Sequence, residues 1–146
     1  MSLNITITVQ ELDVYFYKLT NISEQDAHIK PASNKWSKIE ILGHLVDSSI
    51  VNISRIVLLQ NEDNIKIPEY EQDDWVKTQN YQNRRWEDIT ILWKSLNLQL
   101  LHLVENIDVD KLSNIGYFKN GDTRTLEYFA TDYFLHLEHH LKQILL

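Results

Sequence analysis

The chain has 146 residues, the size of one domain, with 43% apolar and 24% charged residues and a formal net charge of −7. It contains no cysteine, which excludes a disulfide framework, a thiolate metal site and a cysteine nucleophile, and is compatible with a reducing compartment. Lysine and arginine are outnumbered 14 to 21 and no basic run exceeds Arg84-Arg85, so the basic footprint of a nucleic-acid binder is missing. The start, MSLNITITVQ, lacks a charged segment followed by an apolar core and is not expected to be a signal peptide. No apolar run is read as reaching the ~20 residues of a membrane span. The expectation is one soluble, cytoplasmic domain over residues 1–146.

Glycine (three) and proline (two) are scarce, and long stretches carry helical periodicity, which points to an all-α protein. The first helix is expected from about Val9 to Asn21, opened by a capping box of Thr8 and Glu11, with Leu12, Tyr15, Phe16 and Leu19 on one face. The second runs from about Lys38 to Gln60, behind a capping box of Ser37 and Glu40. The third runs from about Arg85 to Asn106, with Ile89, Leu92, Trp93, Leu96, Leu100, Leu103 and Val104 at helical spacing. The fourth runs from about Leu126 to the C-terminus, capped by Thr125 or Thr123, with a stripe of Leu126, Phe129, Ala130, Tyr133, Leu137, Leu141 and Ile144.

The connections carry further information. Before the fourth helix, GYFKNGDTRT places a turn at Asn120-Gly121. The longest connection, roughly residues 61 to 84, holds Pro68 and a short helix around Glu71 to Thr78. A helix of about 22 residues is ~33 Å long, and a connection of this length can travel back along it. That allows helices two and three to run parallel, giving a four-helix bundle in up-down-down-up order with a long crossover. A connection this long in a small domain is usually functional, often as a lid.

Three of the six histidines fall within HLEHH, residues 136–140. On a helical wheel His140 lies within ~50° of the centre of the fourth helix's apolar stripe, and His136 lies near its margin. His139 points to the polar face. His136 and His140 thus form an i, i+4 pair able to share one metal ion. A catalytic zinc takes three protein ligands and keeps one position open. Candidates for the third are His28, His44, His102 or a carboxylate, and His44 is favoured on composition. It heads a column of Ser48, Asn52 and Arg55 that is either a solvated strip or the wall of a polar pocket. HExxH, HxxEH and paired ExxH motifs are absent.

The run WSKIEILGHLVDSSIVNISRI, residues 36–56, resembles the second helix of the DinB-like family, also grouped as the bacterial metal-dependent thiol-transferase superfamily. DYFLHLEHHLKQI, residues 132–144, is similar to that family's last helix, and PEYEQDDWV, residues 68–76, to the segment after its second helix. The resemblance implies an up-down-down-up four-helix bundle with one divalent metal held by His44, His136 and His140. Imidazoles favour zinc or nickel, with iron or manganese also admissible, over magnesium or calcium. The open position would lower the pKa of a bound water toward ~7 on zinc, or bind a thiol as thiolate.

Around the histidines, Asp47 and Asp132 are candidates to orient the imidazoles, or are plain surface carboxylates. Tyr70, Asp73 and Trp75 are expected either as a lid or pocket wall over the metal, or, in the case of the two aromatics, as anchors of the long connection. Arg55 could receive a substrate carboxylate or form a surface ion pair. Trp36, Trp86 and Trp93 are assigned to core or cap packing. Leu135 lies opposite the apolar stripe, and the family resemblance implies a homodimer. The leading expectation is a metal-dependent transferase using a low-molecular-weight thiol, or a hydrolase, acting on a small molecule. The competing expectations are a non-catalytic, metal-stabilised dimeric bundle acting through protein contacts, as in a stress response, and a bundle with no metal in which the histidines only pack.

Overall fold

A computed structural model describes residues 3–146, leaving Met1 and Ser2 of the opening stretch outside the described residues. Four long helices carry most of it: α1 (Val9–Thr20), α3 (Lys38–Asn61), α5 (Trp86–Glu105) and α6 (Leu126–Leu145). Between them lie two shorter ones, α2 (Glu24–Ala27) and α4 (Gln72–Gln79). The ends of the long helices fall where local chemistry puts them. Thr8 and Ser37 each accept from the N3 amide while Glu11 and Glu40 reach back to the cap amide, completing both boxes. Thr125 caps α6 by accepting from the Tyr128 N–H. The α5 start has no side-chain cap; instead the Glu24 carboxylate of α2 accepts the Trp86 N–H, an anion at a helix N-terminus.

α3 is the central helix. It packs against α5 and α6, and α1 packs mainly on α5. Trp93, Phe134, Leu12, Leu19, Leu42, Leu45 and Ile56 are fully buried in the core between them. By length and composition α3 would suffice to cross a membrane, which corrects the expectation drawn from apolar runs; 67% of its apolar stretch is buried inside the bundle. Gly43, His44, Asp47, Ser48, Ser49 and Asn52 interrupt the stretch, so the sequence shows no unbroken apolar run there.

The all-α expectation needs amendment. A three-stranded sheet of β1 (Ile65–Lys66), β2 (Ile115–Tyr117) and β3 (Thr123–Thr125) joins the long connections. β1 pairs parallel with β2, Ile65 opposite Gly116, and β2 pairs antiparallel with β3, Tyr117 opposite Thr123. Strands of two or three residues are too short to show alternation in a sequence. The hairpin turns at Asn120-Gly121 as expected, Gly121 taking φ +91. Gly116 is required for packing instead: a Cβ there would lie 2.2 Å from the Ile67 side chain.

Long-range hydrogen bonds link the helix ends. Ser37, capping α3, donates to Gln82 just before α5, and the Asp108 N–H just after α5 donates to Gln60 near the end of α3. Trp86 Nε1, at the start of α5, donates to the Leu19 carbonyl at the end of α1. The Asn114 side chain donates to the Leu59 carbonyl, bringing the segment before α6 to the end of α3.

Candidate metal centre

His44 lies in the second turn of α3, and His136 and His140 lie one turn apart in the second half of α6. The rings of His44 and His136 are 5.3 Å apart, those of His44 and His140 5.0 Å, and those of His136 and His140 4.5 Å. One ring nitrogen from each can be chosen so that all lie within 4.8 Å of one another. The Nε2 atoms of His136 and His140 are 3.1 Å apart. Two imidazole nitrogens on a tetrahedral zinc, each at ~2.05 Å, stand about 3.3 Å apart, so this pair is already near ligating separation.

His44 is 1% exposed and neither of its ring nitrogens has a hydrogen-bond partner. A buried polar group left unpaired is costly, and the donor set, three imidazoles and no thiolate, suits a borderline divalent metal. The residues present therefore fit such an ion. Burial, with smaller contributions from neighbouring His136 and His140, pushes the His44 pKa down to about 4. Burial also lowers His136, where His140 adds to the effect and Asp132 opposes it. His140 is lowered by burial against the opposing bond to Gln143. All three directions favour the neutral, ligating form.

The surroundings orient the rings. His140 Nδ1 is 3.1 Å from Gln143 Oε1; when Nδ1–H donates there, the Nε2 lone pair is left free to ligate. The Trp36 ring packs over His44 at 5.2 Å between centroids, so this tryptophan borders the site as well as serving the core. Neither contact was anticipated from the sequence. Gln143 could have been noticed as the i+3 neighbour of His140. The Trp36 contact had no local signal.

The other predicted residues divide. Ser48 and Asn52 are buried, Arg55 is half-buried, and all three line a cavity of about 210 Å³ with Tyr70, Asp132, Tyr133 and His136. The column below His44 is thus a pocket wall rather than a solvated strip. Tyr70 belongs to that wall, and Trp75 packs edge-on against it at 5.6 Å. Asp73 is exposed and borders a larger neighbouring cavity of about 760 Å³, which Trp36 and Gln143 also line. The smaller cavity is the better functional candidate because His136, one of the three clustered histidines, lines it.

Asp47 turns away from the histidines. It accepts from Tyr81 Oη at 2.6 Å and Gln79 Nε2 at 3.2 Å, and burial raises its pKa against both bonds. Asp132 is exposed and makes no side-chain hydrogen bond to a histidine. His139 is exposed. His28 is engaged elsewhere, with its ring nitrogens on the Glu24 and Arg84 carbonyls at 2.7 and 2.9 Å. His102 is exposed on α5 beside Asn106.

Known proteins share this architecture. The sequence profile of the DinB superfamily matches residues 8–144. A curated Halalkalibacterium halodurans protein, provisionally named a metal-dependent hydrolase, is 26% identical over 111 residues, 76% of this chain and 64% of the relative. The match therefore spans less than two thirds of that relative. Bacillus subtilis YfiT, described as a probable metal-dependent hydrolase with an unusual four-helix bundle topology, superposes with a TM-score of 0.76 at 17% identity, over 99% of this chain and 89% of its own. A mycothiol-dependent maleylpyruvate isomerase superposes with a TM-score of 0.74 at 10% identity, over 99% of this chain and 63% of its own. At these identities the two structures speak to the fold.

Proposed function

This chain belongs to the DinB superfamily, and from that premise we propose that it is a divalent-metal-dependent enzyme, either a transferase using a low-molecular-weight thiol or a hydrolase. The observation that carries the proposal is the convergence of His44, His136 and His140, with both His44 ring nitrogens buried and unpartnered and with His136 lining a cavity. These three residues would hold the metal, with zinc or nickel favoured, and the ion would supply Lewis acidity to a thiol or water at its open position. The chain does the rest. Burial keeps the imidazoles neutral, Gln143 fixes the His140 tautomer, and Trp36 covers one face of His44. The wall of Ser48, Asn52, Arg55 and Tyr70 orients a small-molecule substrate. A relative named for mycothiol dependence supports a thiol co-substrate, and relatives named as hydrolases support the other branch.

The helix order proposed with this reading is up-down-down-up, in a single unit spanning residues 1–146. It is supported by the joined starts and joined ends of α3 and α5, by Trp86 meeting the end of α1, and by early His44 facing late His136 and His140. A homodimer is proposed alongside, supported by Leu135, 57% exposed on α6.

The test is elemental analysis of tag-free protein purified without added metal or chelator. Near one divalent ion per chain is expected, reduced by more than half in His44→Ala and in His136→Ala and retained in His139→Ala. Equal loss in all three variants, or little metal in the wild type after zinc or nickel addition and dialysis, would overturn the reading.

A further inference from the structure

Arg55 carries a charge that forms no ion pair among the described residues, with Glu69 acting on it only at longer range. Its Nε–H and one Nη2–H both donate to the Pro68 carbonyl, at 2.9 and 2.8 Å. A guanidinium has five N–H donors, so the end-on edge formed by Nη1 and the second Nη2 proton has no partner among the described residues. Among the described residues no carboxylate oxygen lies within 4.0 Å of it. The adjacent acid, Glu69, accepts the Lys119 N–H instead, and Asp132, which shares the cavity, is exposed. The rings of Phe129, Phe118 and Tyr70 surround the guanidinium at 5.4, 5.8 and 6.0 Å, replacing water with aromatic faces on a half-buried cation. A cation so placed interacts strongly with any anion that reaches its free fork, and a carboxylate matches that fork with two parallel hydrogen bonds.

We propose that Arg55 anchors the carboxylate of the substrate, so that the cavity between α3, the Pro68–Tyr70 segment and α6 selects small organic acids. The proposal rests on the reading of the three histidines as the reacting end of the same cavity. Phe129, against which the guanidinium lies, precedes His136 by two turns of α6, about 10 Å along the axis. An acid held at Arg55 with a chain of that reach presents its far end at His136, while the Tyr70, Phe118 and Phe129 rings flank its apolar body. Ser48 and Asn52 supply the polar groups along the way.

Titration by nuclear magnetic resonance, with phenylacetate and hexanoate against their neutral amides, tests this. Chelator-treated protein is used, so that no metal can act as the carboxylate's partner. Failure of the metal reading, which elemental analysis reports separately, leaves this readout intact. The acids are expected to shift the Phe118 and Phe129 ring resonances and to bind at least tenfold more tightly than the amides. R55Q should weaken the acids at least tenfold and leave the amides unchanged. Absence of binding by either acid, equal binding of acid and amide, or acid binding undiminished in R55Q would overturn the proposal. The comparison of acid with amide needs only wild-type protein, so it holds even if R55Q loosens the Pro68 segment.

Discussion

Acidifying the metal-free protein should destabilise it through His44. The imidazole pKa is about 4 in the folded chain against an ordinary 6.5. Between those values the unfolded chain binds more protons, so stability is full above pH 6.5 and falls as the pH drops toward 4. The gap corresponds to about 3 kcal/mol over the whole window, with about 2 kcal/mol lost by pH 5. For a chain of this size that lowers the Tm by about 4–8 °C. His136 and His140, also lowered, act in the same direction. Asp47, raised by burial, acts the opposite way, because its stabilising protonation begins above the ordinary carboxylate range. Urea unfolding of chelator-treated wild type and His44→Leu at pH 7.5 and pH 5 isolates the term, since Asp47 contributes to both proteins. The variant should lose about 2 kcal/mol less than the wild type between the two pH values. Equal losses would refute the attribution to His44.

Other outcomes follow from the same geometry. Zinc at a hundredfold excess over its dissociation constant should stabilise the wild type by about 2.7 kcal/mol at pH 7.5, seen as a rise in Tm that His44→Ala abolishes. Gln143→Ala should weaken zinc affinity about 10–100-fold without removing the site, measured by chelator competition, because it frees the His140 tautomer. Gly43→Ala should destabilise by about 1–3 kcal/mol in urea melts, since its Cβ would fall 2.1 Å from the Tyr81 ring. Tyr81→Leu in that background should recover part of the loss, and strict additivity would argue against the steric account.

What was legible in the sequence was whatever local chemistry encodes. The long helices begin and end within a residue of expectation because caps and apolar stripes are short-range signals. The His136–His140 pair was readable from helical spacing alone. His44 was the favoured third histidine only on composition until the resemblance of GHL and HLEHH to a known family singled it out. The unread features depend on distant partners. The Gly43–Tyr81 approach joins α3 to the turn before α5, and the β1–β2 pairing joins residues fifty positions apart. Asp47 looked like a partner for the histidines because it neighbours His44 in sequence, yet its contacts are set by Tyr81 and Gln79. Trp36 was assigned to packing, and only the folded chain sets it against an imidazole.

The small sheet has a consequence for how this chain tolerates change in length. β3 ends at Thr125 and α6 begins at Leu126 with no residue between. The pairing of β2 with β3, anchored to α3 by β1, therefore sets the rotational phase of α6. One residue inserted at that junction would turn every later side chain by about 100°, swinging His136 and His140 off His44. One inserted at Asn120-Gly121, where a Cβ built on the glycine would meet nothing within 4 Å, would only lengthen a hairpin. Insertions and deletions should therefore collect at the hairpin tip and be purged four residues later, leaving an indel boundary that marks the three-histidine cluster from the far end of the helix.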